Sequence, residues 1–93
     1  MSKVYNEFEL TFVLTLKGRA NYSESWIKNN VRPGYRFYVA DGSSDDLNKQ
    51  IFEKNIHKNL VYKFHGEDRT IKDYLNKIVA SILAVKTEYV MLC

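Results

Sequence analysis

Apolar and polar positions recur along this chain with two different periods, and the breaks between segments fall at Lys17-Gly18, Pro33-Gly34, Asp41-Gly42 and His65-Gly66. Residues 8–14 (FELTFVL) and 35–40 (YRFYVA) are short runs dense in β-branched and aromatic side chains, the composition of largely buried strands. Residues 60–64 and 88–92 supply a third and a fourth. Residues 70–85 keep another rhythm. Ile71, Tyr74, Leu75, Ile78, Val79, Ile82 and Leu83 recur at steps of three and four, which predicts a helix with one stripe on a core and Lys72, Asp73 and Lys77 in water. Thr70 followed by Asp73 has the form of a capping box. Leu47, Ile51 and Phe52 predict a shorter helix after Asp45, and Tyr22, Trp26 and Ile27 predict another before Pro33.

Strands that alternate with helices need crossover connections, which join parallel strands with a right-handed sense. The expected fold is therefore α/β: a Rossmann-like, open, mainly parallel four-stranded sheet with helices on both faces, residues 1–93 forming a single domain. Ligands bind such sheets beyond the carboxyl ends of the strands, where the strand order reverses. The loops to inspect are residues 15–20, 41–46 and 65–69, and whatever follows Cys93.

Composition narrows the picture without redirecting it. With 45% apolar and 27% charged residues, the chain carries enough apolar surface to fold. The net charge of +3 comes from Lys and Arg interleaved with Asp and Glu, not from a basic block, which argues against a nucleic-acid partner. A lone cysteine, Cys93, forms no internal disulfide, and no apolar run is long enough to be a transmembrane segment or the core of a signal peptide. The cytoplasmic compartment is the default expectation.

Two loops carry candidate chemistry. In residues 39–46 (VADGSSDD), Asp41 closes a buried strand, and Gly42 after it is free to take a backbone shape that other residues resist. A carboxylate only accepts hydrogen bonds, so Asp41 suits a ligand presenting a ring N–H, such as uracil, thymine or guanine, and disfavours cytosine. The same residues also read as a strand-ending turn in which Ser43, Ser44 or Asp45 caps the next helix. In the first loop, Thr15, Lys17, Gly18 and Arg19 bring two cations and a glycine to a strand end, without P-loop or GxGxxG spacing. Arg69 stands just before the long helix, where backbone N–H groups favour an anion. His57 and His65 have no partners at metal-ligand spacing, and HExxH, GxSxG and a Cys–His pair are absent.

Three blocks, in this order, resemble family 2 glycosyltransferases of GT-A fold, over about residues 9–93. Residues 12–19 (FVLTLKGR) resemble the family's opening strand and its P-T-Y-N-R-like turn, with Thr15 at the proline place and Arg19 at the closing basic place. Residues 38–45 (YVADGSSD) resemble V-V-D-D-G-S-x-D, and residues 82–93 (ILAVKTEYVMLC) resemble I-x-x-A-x-G-E-Y-I-x-x-L. The departures are Ala40 for the first paired aspartate, T-L-K-G for P-T-Y-N, and no A-R-N near residues 77–79.

The resemblance implies a site for a nucleotide-diphosphate sugar, UDP-, dTDP- or GDP-linked, in which Thr15 and Asp41 hold the base while Arg69 and Arg19 lie by the nucleotide. It implies Mn²⁺ or Mg²⁺ in a full-length relative, bound by a D-x-D that follows the fourth strand, and so after Cys93. On that reading the chain is a transferase domain truncated before its metal and acceptor halves, inactive alone, and prone to self-association through an exposed sheet edge. A small non-enzymatic α/β module that binds a nucleotide or a protein through the same loops is the other reading.

Overall fold

The computed structural model describes residues 10–32 and 34–93; the expected first strand's residues 8 and 9, and Pro33, lie outside the described residues. The elements follow in the order β1 (Leu10–Leu16), α1 (Ala20–Asn30), β2 (Arg36–Asp41), α2 (Leu47–Lys54), β3 (Leu60–Phe64), α3 (Ile71–Ala84) and β4 (Tyr89–Leu92). All four strands are parallel and the sheet order is β3-β2-β1-β4, a small Rossmann-like α/β fold. The first strand runs two residues past its expected end. Its pairing with β2 continues to Leu16 opposite Asp41, and the Gly42 N–H then donates to the Leu16 carbonyl at 2.8 Å.

Parallel register sorts the side chains into two faces. Phe12 pairs with Phe37, Leu14 with Val39 and Leu16 with Asp41, so this set shares one face. There Leu14, Leu16, Phe37 and Val39 join Trp26 and Ile27 of α1 and Phe52 of α2 in the main core. Aromatic rings tie it together: Phe12 stacks on Phe37 at 5.5 Å, Trp26 meets Phe37 edge-on at 5.8 Å, and Phe52 stacks on Tyr62 at 4.9 Å. The opposite face has a smaller apolar cluster of Val13, Tyr38 and Ala40, with Val85 and Val90 against it.

The third helix covers that second face in an unexpected orientation. Its ends are as the sequence predicts: Thr70 caps it, accepting from the Asp73 N–H at 3.1 Å, and the Asp73 carboxylate accepts from the Thr70 N–H at 3.2 Å. The stripe expected on the core does not lie there, for Ile71, Leu75, Val79 and Leu83 are all more than half exposed. The residues α3 buries are Lys77 and Ser81, so the expectation that Lys77 faces water is overturned. The reason is electrostatic: Lys77 pairs with the buried Asp68 carboxylate, which would otherwise be an uncompensated buried charge, and also donates to the Leu16 carbonyl.

Candidate functional site: a cationic cleft at the strand ends

After β1 the chain builds β2 and β3 on one side, then crosses back to place β4 on the other side of β1. The strand order thus reverses between β1 and β4, and it is beyond the carboxyl ends of strands at such a reversal that open parallel sheets bind ligands. A cleft of about 680 Å³ opens there. Thr15, Lys17 and Arg19 come to it from the end of β1, Tyr22 from α1, and Arg69, Tyr74 and Lys77 from the loop before α3 and its first turns.

Of the four sequence-predicted site residues, Thr15, Arg19 and Arg69 meet in this cleft, and Asp41 does not line it. Asp41 is wholly buried on the face toward α1 and α2. Its Oδ1 accepts from the Ser43 N–H at 2.9 Å and the Ser43 hydroxyl at 2.5 Å, and its Oδ2 accepts from the Tyr62 hydroxyl. Burial, with the Asp41 hydrogen bond and charge behind it, raises the Tyr62 phenol well above its ordinary pKa, so Tyr62 remains a donor.

Below the first loop, buried polar side chains connect the two halves of the main face. Asn48 of α2 donates from Nδ2 to the Gly18 carbonyl at 2.7 Å and to Ser43 Oγ at 3.1 Å, while its Oδ1 accepts from the Ser23 hydroxyl of α1. Ser43 Oγ also accepts the Gly18 N–H at 2.7 Å. The β1–α1 corner is thereby tied on both sides of Gly18, whose φ of 68° is one that glycine adopts freely. Neither Ser43 nor Asn48 stands out by spacing, and only the packing of the loops brings them together.

The floor of the cleft holds a buried ion pair that sequence reasoning missed. Lys77 Nζ bonds the Asp68 carboxylate and donates to the Leu16 carbonyl at 3.0 Å, and Lys17 Nζ reaches the Asp68 carbonyl. The Asp68 N–H donates to the Gly42 carbonyl at 2.8 Å, and its carboxylate occupies the place a Cβ on residue 42 would fill. Glycine is required at position 42 for this close approach and not, as the sequence suggests, for an unusual backbone shape: Gly18, Gly34 and Gly66 have positive φ, and Gly42 does not. The available signal was a polar stripe of Asp73, Lys77 and Ser81, which has the same period as the apolar one.

With Lys77 neutralised by Asp68, the cleft keeps three further cations, Lys17, Arg19 and Arg69, of which Arg69 lies 3.7 Å from Glu67. Tyr22 and Tyr74 are half-exposed at its sides. Among the described residues no group of three or more His, Cys, Asp or Glu is placed to hold a metal ion. No helix among the described residues is long and apolar enough to cross a membrane.

Fold and site together define a small parallel α/β domain with a cationic cleft at the switch point of its sheet. The chain matches no protein-family model, and no curated protein matches it in sequence.

Proposed function

We propose that this chain is the nucleotide-sugar-binding part of a GT-A glycosyltransferase of the family 2 type, and that the cleft between β1 and β4 receives the diphosphate of the donor. The observation that carries this reading is the gathering of Lys17, Arg19 and Arg69 at the switch point, in a cleft that two half-exposed tyrosines also line. Cations in a recessed site attract a multiply charged anion, and Arg suits the geometry of phosphate oxygens. Tyr22 and Tyr74 offer apolar ring faces to a base or a sugar. Asp41 takes a base N–H only if the Tyr62 hydroxyl swings away from it, since its carboxylate is buried under Tyr62 and Ser43.

Calorimetric titration with UDP, dTDP, GDP and CDP tests both parts. Binding of the diphosphates that fades with added salt supports the cleft, and absence of binding to all four sinks it. Preference for UDP over CDP gives Asp41 a role at the base, while equal affinities leave it a structural residue.

We also propose that the chain self-associates along β4 and the outer side of α3. The exposed Leu75, Val79, Ile82 and Leu83 of α3 and Met91 and Leu92 of β4 support this, because apolar surface of that extent favours a partner. Sedimentation that shows only monomer at high concentration counts against it.

A further inference from the structure

Arg19 is the one described non-glycine residue with positive φ, at φ 58° and ψ 42°, and it lines the cleft. A side chain in the left-handed region is unfavourable, and glycine or asparagine fits there better. Such a residue persists only where its surroundings over-determine it. Here the surroundings are explicit. Just before Arg19, Gly18 is held through its N–H by Ser43 and through its carbonyl by Asn48. Just after it, the Arg19 carbonyl accepts from the Tyr22 and Ser23 N–H groups at 2.9 and 3.2 Å and so opens α1. Ser23, Ser43 and Asn48 are at most 1% exposed, so this frame has little room to relax.

We propose that Asn48 is a positioning residue of the cleft. By locking the Gly18–Arg19 corner it holds Arg19 left-handed, and the strained residue presents its guanidinium to a diphosphate beside Lys17 and Arg69. This rests on the cleft's being a diphosphate site. It adds that an arginine stands where glycine would be more stable because its side chain is used, and that a buried amide with no access to the ligand sets its place.

The test combines two measurements on the full chain, using the variants Arg19→Gly, Asn48→Ala and their double. The first is urea unfolding. Arg19→Gly relieves the strain and raises the folding equilibrium constant by roughly five- to thirtyfold. In the Asn48→Ala background the corner relaxes, and the same change has less than about a third of that effect, a coupling that a double-mutant cycle reads directly. The second is calorimetric titration with inorganic pyrophosphate, which both single variants weaken by roughly tenfold, on the scale of a lost charged hydrogen bond.

A more stable Arg19→Gly that binds pyrophosphate less well is the signature expected, since a purely structural residue would not move the two in opposite directions. Additive unfolding effects with pyrophosphate binding intact overturn the role of Asn48 alone. A wild-type chain that does not bind pyrophosphate overturns the diphosphate site itself, and the clamp with it. If Asn48→Ala does not fold, Asn48→Leu, which keeps the shape of the side chain but has no amide to hold the Gly18 carbonyl, replaces it in the cycle with the same outcomes.

Discussion

The two faces of the sheet are built on different physics. Toward α1 and α2, seven buried apolar residues interlock around Phe37, Trp26 and Phe52, and the polar groups among them belong to one connected network. Toward α3 the apolar cluster is small, and the helix is held by a buried lysine–aspartate pair and by its cap. Burial of apolar area is non-directional and holds a fold together, whereas a buried ion pair demands geometry and contributes little net stability. The first face therefore supplies the stability, and the second shapes the floor and one wall of the cleft.

The sharpest way to break this contrast is to attack each face at its centre. Trp26→Ala should cost about 3–5 kcal/mol and leave the chain largely unfolded in water, as read by circular dichroism and urea titration. Lys77→Met should cost about 3 kcal/mol, because it leaves the Asp68 carboxylate buried without its partner. Adding Asp68→Asn to Lys77→Met should recover most of that loss; if it does not, the pair contributes more than its own pairing and the contrast between the faces weakens. Thr70→Ala removes one arm of the cap on α3 and should cost about 1 kcal/mol in the same titration.

The smallest effect expected is a pH dependence on the α3 face. His65 Nε2 lies 2.8 Å from the Tyr38 hydroxyl, and burial, aided by Lys63 and Lys77, lowers its pKa below the ordinary 6.5. The unfolded chain then takes up a proton at a pH where the folded chain does not. Stability is full above about 6.5 and falls as the pH drops through that value toward the folded-state pKa. Thermal melts between pH 7 and pH 5 should show the decline, and His65→Gln should flatten it.

Much of the architecture was legible in the sequence because it rests on local pattern. The third strand, 60–64, stands where the sequence put it, the second moved by one residue, the fourth starts one residue later, and the first runs two residues further at its carboxyl end. The cap of α3 was legible from Thr70 and Asp73, since a capping box is a contact across three residues. Thr15, Arg19 and Arg69 were legible as site candidates because strand ends in a parallel sheet converge on one edge, and these three do meet there.

What failed to be legible depends on distant partners. Lys77 faces inward because the buried Asp68 carboxylate, on another segment, needs a cation beside it, and the Leu16 carbonyl accepts from the same ammonium. Gly42 looked like a residue chosen for its backbone freedom, and it is small because Asp68 lies against it. Asp41 looked open to a ligand, and it is closed by Tyr62, a residue of the neighbouring strand.

The alternation of strands and helices, hence a parallel sheet, hence the edge at which a ligand site would lie, follows from the order of residues alone, because periodicity and crossover geometry are local or nearly so. Which polar groups at that edge bond to one another and which remain open depends on the packing of segments far apart in the chain. Hydrogen bonds and ion pairs are short-ranged, and whether a carboxylate is available depends on which side chain, many residues away, arrives within about 3 Å of it.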